Sequence, residues 1–220
     1  MYSITEKELV GNSFYITYAF LMTTATITFI EALRTKDAKI RHILNLETCI
    51  SVVAAFFYSK FVEDMEMNID YKRINTTRYV DWAITTPIML LVLVLAFLYN
   101  NNKGAMKFSS YLVILFFNYV MLGFGYVGEI GGMDKGLANT FGFAGFVGLY
   151  YYIYKNYLAG RPNRDNMLLF ISFVILWAMY GVFYTFDPMT RNVGYNVLDL
   201  FSKCFVGIFF WAYFTGVFKL

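Results

Sequence analysis

Residues 76–99 read TTRYVDWAITTPIMLLVLVLAFLY. After its polar start this run is apolar and long enough to cross a bilayer as a helix, which takes about 20 residues. Arg78 stands at its outer end and Asp81 at mid-depth, where a charge is expensive and rarely idle. Working outward, six more stretches of the same kind occupy roughly 10–33, 39–62, 106–127, 137–158, 166–186 and 192–218. The breaks between them are polar or helix-breaking: Arg34 to Asp37, Glu63 to Arg73, Asn100 to Lys103, Glu129 to Asp134, Gly160 to Arg164, and Asp187 to Arg191. The expected fold is an all-α integral membrane protein, a seven-transmembrane-helix bundle formed by one domain over residues 1–220.

Composition agrees. The chain is 59% hydrophobic and 15% charged, whereas a soluble domain carries about 45–50% and about 25%. Nineteen Tyr and twenty-four Phe cannot all hide inside one core of 220 residues. A soluble enzyme is therefore not expected, and the small net charge of +3, not gathered into a run, argues against nucleic acid. Cys49 and Cys204 lie in apolar stretches and make neither a disulfide framework nor a zinc site. The one histidine, His42, sits at a helix end, no phosphate loop is present, and no metal site or enzymatic role is expected. The first eight residues are polar and lack a basic start, so no cleavable signal peptide is expected.

Loop charges set the orientation. One set of loops holds Arg34, Lys36, Lys39, Arg41, Lys103, Lys107, Lys155, Arg161, Arg164 and Lys219 against Asp37 and Asp165. The other set holds Lys7, Lys60, Lys72, Arg73, Lys135 and Arg191, diluted by nine acids. Lys and Arg accumulate on the cytoplasmic side. The N-terminus is therefore expected outside and the C-terminus inside.

Within the spans the clear charges are Glu47, Asp81, Asp199 and Lys203, while Glu31 and Lys60 lie near enough to helix ends to snorkel. Asp199 and Lys203 at i,i+4 form a possible ion pair, but desolvating such a pair costs several kcal/mol and stabilises a bundle poorly. The alternative is chemical. A buried lysine amine is a good nucleophile toward an aldehyde, and the resulting imine, once protonated, needs a carboxylate beside it. Asp199 is one turn away, Asp81 is a second acid, and Arg78 would keep both ionised.

These residues resemble a known family. Arg78-Tyr-Val-Asp81-Trp-Ala-Ile-Thr85-Thr-Pro87 resembles the third-helix signature of microbial rhodopsins, and Leu198-Asp199-Leu-Phe-Ser-Lys203 their seventh-helix signature. Trp177 and Tyr180 resemble the sixth-helix ring clamp, Met121 and Gly125 the fourth-helix pocket, and Tyr58 the second-helix tyrosine that bonds the seventh-helix aspartate. The resemblance implies all-trans-retinal held by Lys203 as a protonated Schiff base, with Asp81, Asp199, Arg78 and Tyr58 as its counterion complex. It implies a pocket of Trp82, Thr85, Thr86, Met121, Gly125, Trp177, Tyr180, Gly181 and Tyr184. Gly181 stands where a proline is usual, and Tyr184 where a tryptophan is usual.

The ion path departs from that of the family's outward proton pumps. Eleven residues past Asp81, where those pumps hold a proton-returning acid, lies Val92. Eight residues before Asp199, where some hold an outer glutamate, lies Arg191. Glu47 lies three turns cytoplasmic of Tyr58 on the same face of the second span. Ser13, Thr17, Thr23, Thr24, Thr26 and Thr28, with Asn192, Asn196 and Ser202, would line a hydrated path between the first, second and seventh helices. Serine and threonine can instead bond back to helix carbonyls.

The context of Glu47 and the short chain resemble the viral rhodopsins of large algal viruses, whose first group behaves as light-gated cation channels and whose second is associated with proton pumping. The expectation is a light-gated cation channel, with an outward proton pump as the alternative and a sensory photoreceptor third, no transducer being evident. Its expected partners are the lipid bilayer and permeant cations or protons, a homo-oligomer being compatible, in a cellular membrane of the infected host.

Overall fold

The computed structural model describes residues 5–67, 70–160 and 163–217. Arg161 and Lys219, counted above among the cytoplasmic basic residues, lie outside the described residues. Seven helices follow one another: α1 Glu6–Arg34, α2 Ala38–Met67, α3 Tyr71–Asn100, α4 Phe108–Glu129, α5 Lys135–Ile153 with a π-helical continuation Tyr154–Leu158, α6 Arg164–Phe183, and α7 Pro188–Phe214. No strand interrupts them among the described residues. Each helix packs on the next around a ring, α7 closes on α1, and α3 also reaches α6 and α7 across the centre.

The polar breaks do specific work at the helix starts, where four N–H groups lack an internal partner. Thr5 accepts from Glu8 N while Glu8 accepts from Thr5 N, a reciprocal cap on α1. Asp37 accepts from Lys39 N at 2.8 Å and Ile40 N at 3.3 Å. Asp70, Asp134 and Asn163 accept from the N–H of Arg73, Leu137 and Asn166 at the starts of α3, α5 and α6. Asp187 does the same for α7, with Pro188 occupying the first position, where its missing N–H costs nothing. Carboxylates at these starts also meet the positive end of the helix dipole.

Six of the seven helices are apolar and long enough to span a membrane; glycine dilutes α5, which still packs between α4 and α6. Many large apolar side chains are exposed, such as Phe116, Val147 and Ile175, because lipid rather than water faces them. The largest apolar core lies in the cytoplasmic half and joins α3, α5 and α6 through Val92, Leu93, Phe97, Leu149, Ile153 and Phe173.

Pro87 cannot bond the carbonyl of Ala83, one turn earlier in α3. Tyr119 of α4 supplies the missing donor, its hydroxyl lying 3.1 Å from Ala83 O, and Tyr111 donates to Pro87 O at 3.0 Å. Asn118 adds a bond to Thr86 Oγ1 at 2.9 Å. Proline inside α3 thus becomes an attachment point for α4. Within α7, residues Leu200–Phe205 form a π-helical turn that carries Lys203. Such turns add a residue locally and often mark functional sites.

Candidate functional site

Lys203 is 1% exposed, and its amine meets two acids from two helices. Its Nζ donates to Asp81 Oδ2 at 2.7 Å and to Asp199 Oδ2 at 3.3 Å. Asp199 is further held by the hydroxyls of Tyr58, 2.8 Å from Oδ2, and Tyr180, 2.5 Å from Oδ1. Asp81 Oδ1 is buried without a hydrogen-bond partner. Two carboxylates therefore surround one ammonium. A further cation balances them: Arg78 Nη1 lies 3.8 Å from Asp199 Oδ2.

Arg78 is fully buried. Its guanidinium carbon lies 5.0–5.6 Å from the ring centres of Phe14, Tyr58, Phe61 and Tyr195, whose π faces offset part of its lost hydration. Its N–H groups donate to Asn192 Oδ1 and the Tyr58 hydroxyl, each at 3.3 Å, and to Asn196 Oδ1. Asn196 then donates to Ser13 Oγ at 2.7 Å, and Thr17 bonds the carbonyls of Ser13 and Asn196.

From Asn192 the network continues outward, its amide donating to Asn75 Oδ1 and that of Asn75 to Glu129 Oε1, both at 3.2 Å. Glu129 receives Arg191 through two bonds of 2.9 and 3.2 Å, with Lys135 Nζ at 3.6 Å. The sequence reading of Arg191 as the loss of an outer acid is thereby corrected. An acid is present at that end, contributed by α4 rather than α7. Glu129 stood among the break residues, and only folding turns it inward.

A cavity of about 750 Å³, including its open mouth, has Lys203 in its lining. Trp82, Thr86, Met121, Gly125, Trp177, Tyr180, Gly181 and Tyr184 all line it. Thr85 does not; its hydroxyl turns back to the carbonyl of Asp81 at 2.9 Å. Tyr195, unmarked in the sequence reading, closes one wall, stacking on Tyr180 and meeting Trp82 edge-on at 5.2 Å. Its only sequence signal was its place one turn before Asp199.

Of the nine residues expected to line a path between α1, α2 and α7, Thr24 and Thr28 are buried on α1, each bonding a carbonyl one turn back, and the other seven divide into three groups. Ser13, Thr17, Asn192 and Asn196 are consumed by the Arg78 network. Ser202 pairs with the Tyr180 hydroxyl at 2.9 Å and lines the cavity, so it faces α6 and not α1. Thr23 and Thr26 are exposed and bond back to their own helix. On the cytoplasmic side Glu47 is 2% exposed, and its Oε2 has no hydrogen-bond partner. Val92 is buried among apolar neighbours.

The sequence model of the bacteriorhodopsin-like protein family matches residues 9–217. The green-light absorbing proteorhodopsin of Gamma-proteobacterium EBAC31A08 is 24% identical over 221 residues, spanning 93% of this chain and 86% of its own length. The crystal structure of viral rhodopsin OLPVRII is 60% identical with a TM-score of 0.91, and the match covers 96% of this chain and 100% of that one. Acetabularia rhodopsin I, at 20% identity, shares the fold with a TM-score of 0.78 over 95% of each chain. With its helices, its buried lysine and nearly its whole length accounted for, the chain belongs to the bacteriorhodopsin-like protein family, the microbial rhodopsins.

Proposed function

We propose that this microbial rhodopsin is a light-driven outward proton transporter in which Lys203 carries retinal, Asp81 receives a proton on the outer side, and Glu47 supplies one from the cytoplasmic side. The family implies a retinal chromophore, and the residues present suit one. An apolar, aromatic slot buries a polyene well, its lining includes an amine, and two carboxylates flank that amine. Held covalently by Lys203, retinal supplies light absorption and a light-driven change of shape.

The observation that carries the proton reading is the asymmetry about Lys203. Outward of it lie Asp81, with one oxygen unpartnered, and a continuous polar network ending at Glu129. Inward of it, helix packing is apolar except for a seam along α1 and α2, where Glu47 is buried with no charged partner. Burying a lone carboxylate is expensive enough that such a site holds the neutral acid, which is the form able to donate. A hydrated cation moving through the outer half would instead pass two buried guanidiniums, Arg78 and Arg191. That charge arrangement moves the preference from the expected channel to the pump.

The channel reading keeps one supporting observation. Thr24, Thr28 and Thr48 continue the polar seam of α1 and α2 toward the cytoplasm, with Thr28 and Thr48 hydroxyls 2.8 Å apart. Photocurrent measured against membrane voltage separates the two. A pump gives outward current of one sign that is indifferent to sodium replacement. Reversal at a potential that follows the sodium or potassium gradient would establish the channel and remove the pump.

A further inference from the structure

We infer that Gly207 and Ser51 are positioning residues for the Glu47 carboxyl, Gly207 by leaving the slot it occupies and Ser51 by offering the next oxygen for its proton. This rests on the reading of Glu47 as the cytoplasmic proton source. Gly207 lies on α7, one turn past Lys203, where α7 meets α1 and α2. A Cβ built there would lie 2.8 Å from Thr24 Cγ2 and 3.1 Å from Glu47 Oε2. Thr24 and Glu47 are both buried, so a methyl group at 207 would have to push the Thr24 methyl and the Glu47 carboxyl aside. The hydrogen side chain of residue 207 is therefore what admits the carboxyl.

Ser51 is fully buried, and its Oγ, like Glu47 Oε2, has no hydrogen-bond partner. Two such atoms on residues one turn apart in α2 are unusual, because buried polar groups are nearly always satisfied. Both lie on one stripe of α2, Glu47, Ser51, Ala54 and Tyr58, and Tyr58 bonds the same Asp199 that holds Lys203. Ser51 stands about 6 Å along the axis from Glu47 and about 10 Å from Tyr58. Ala54, between them, is fully buried in the apolar cluster of Tyr58 and Phe61. Passage of a proton across that interval calls for internal water held between the polar groups at its ends.

The transfer balances as follows. The O–H bond of the Glu47 carboxyl breaks as a proton passes, through water, to Ser51 Oγ. The hydroxyl's own O–H bond breaks in the same event, and its proton goes, through water, to the Lys203 nitrogen, which on this reading has already given its proton to Asp81. Serine ends neutral, Glu47 ends as carboxylate, and a proton from the cytoplasm restores it.

The test uses the full chain in lipid vesicles. Return of visible absorbance after a flash reports reprotonation; the infrared carboxyl band lost in Glu47→Gln, recorded in the dark with or without retinal, reports the position of the acid. Ser51→Ala is expected to slow recovery by about tenfold or more, and Ser51→Thr, which keeps the hydroxyl, to stay within about twofold of the native rate. Ser51→Cys, with a weak donor of similar volume, serves if the alanine variant does not accumulate. Gly207→Ala is expected to shift the Glu47 band. Native recovery in Ser51→Ala beside slow recovery in Glu47→Gln, or an unmoved band in Gly207→Ala, would overturn the inference and leave the role of Glu47 standing. Native recovery in Glu47→Gln would overturn the role itself.

Discussion

Arg191 of α7 and Glu129 at the end of α4 face each other through two hydrogen bonds of 2.9 and 3.2 Å, each side chain only 4% exposed. The pair ties together two helices that are not neighbours around the ring, and through Asn75 and Asn192 it continues to Arg78. Removing one member of such a pair leaves the other buried without its charge partner. Glu129→Gln is expected to cost about 3 kcal/mol of stability, read as a lower thermal midpoint in detergent. Glu129→Gln combined with Arg191→Gln should recover part of that loss. An unchanged midpoint in the single variant would mean that water and the new amide oxygen already satisfy the Arg191 guanidinium.

Among the described residues Lys203 is the only amine that lines the cavity, and Lys203→Ala removes it. Protein made with all-trans-retinal should be coloured, and this variant colourless at equal yield. Visible absorbance persisting in it would transfer the attachment to another residue.

Asp81 Oδ2 is the nearest carboxylate oxygen to the Lys203 amine. Neutralising it withdraws stabilisation from a positive charge at that nitrogen, and the absorption maximum should move to the red. Asp81→Asn should show this shift at neutral pH, whereas the unaltered protein should reach it only as acid is added. An unshifted spectrum in Asp81→Asn would assign the whole charge balance to Asp199.

Asp187, in the outer turn before α7, is held below the usual carboxylate range by the Thr190 side chain first and by the Thr190 N–H, 3.0 Å away, second. A lowered value in the folded state contributes stability that is present at neutral pH and disappears as pH falls through it. Asp187→Asn still caps the helix but does not titrate, so its melting temperature should fall less steeply on acidification. Parallel curves for the two proteins would remove Asp187 from the acid limb.

Hydropathy located all seven helices because lipid contact demands continuous apolar runs, and it missed their outer turns because caps are polar. The first span, read as 10–33, begins at Glu6 behind Thr5, and the seventh, read as 192–218, begins at Pro188 behind Asp187. Lys203, Asp199, Asp81 and Glu47 were legible because a charge inside an apolar run has few reasons to exist. Glu129 was not, since at the boundary of a span the same residue serves equally well in solvent. The asparagines of α7 were visible as polar, but their partner Arg78 is more than a hundred residues away. Ser202 was placed on the wrong side for a different reason. Which neighbour a hydroxyl meets depends on helix rotation, which spacing alone leaves open by tens of degrees.

The π-helical turn at Leu200–Phe205 makes the length of α7 as consequential as its composition. A helix turns about 100° and advances about 1.5 Å with each residue. The wide turn already takes up one extra residue, so deleting Phe205 would let the segment relax to a regular helix while the stretch beyond it, Gly207 included, kept its place. The side chains inside the turn would rotate instead, swinging Lys203 out of line with Asp199 one turn before it. A single deletion here is therefore expected to misplace the buried amine while leaving the packing on either side of it intact.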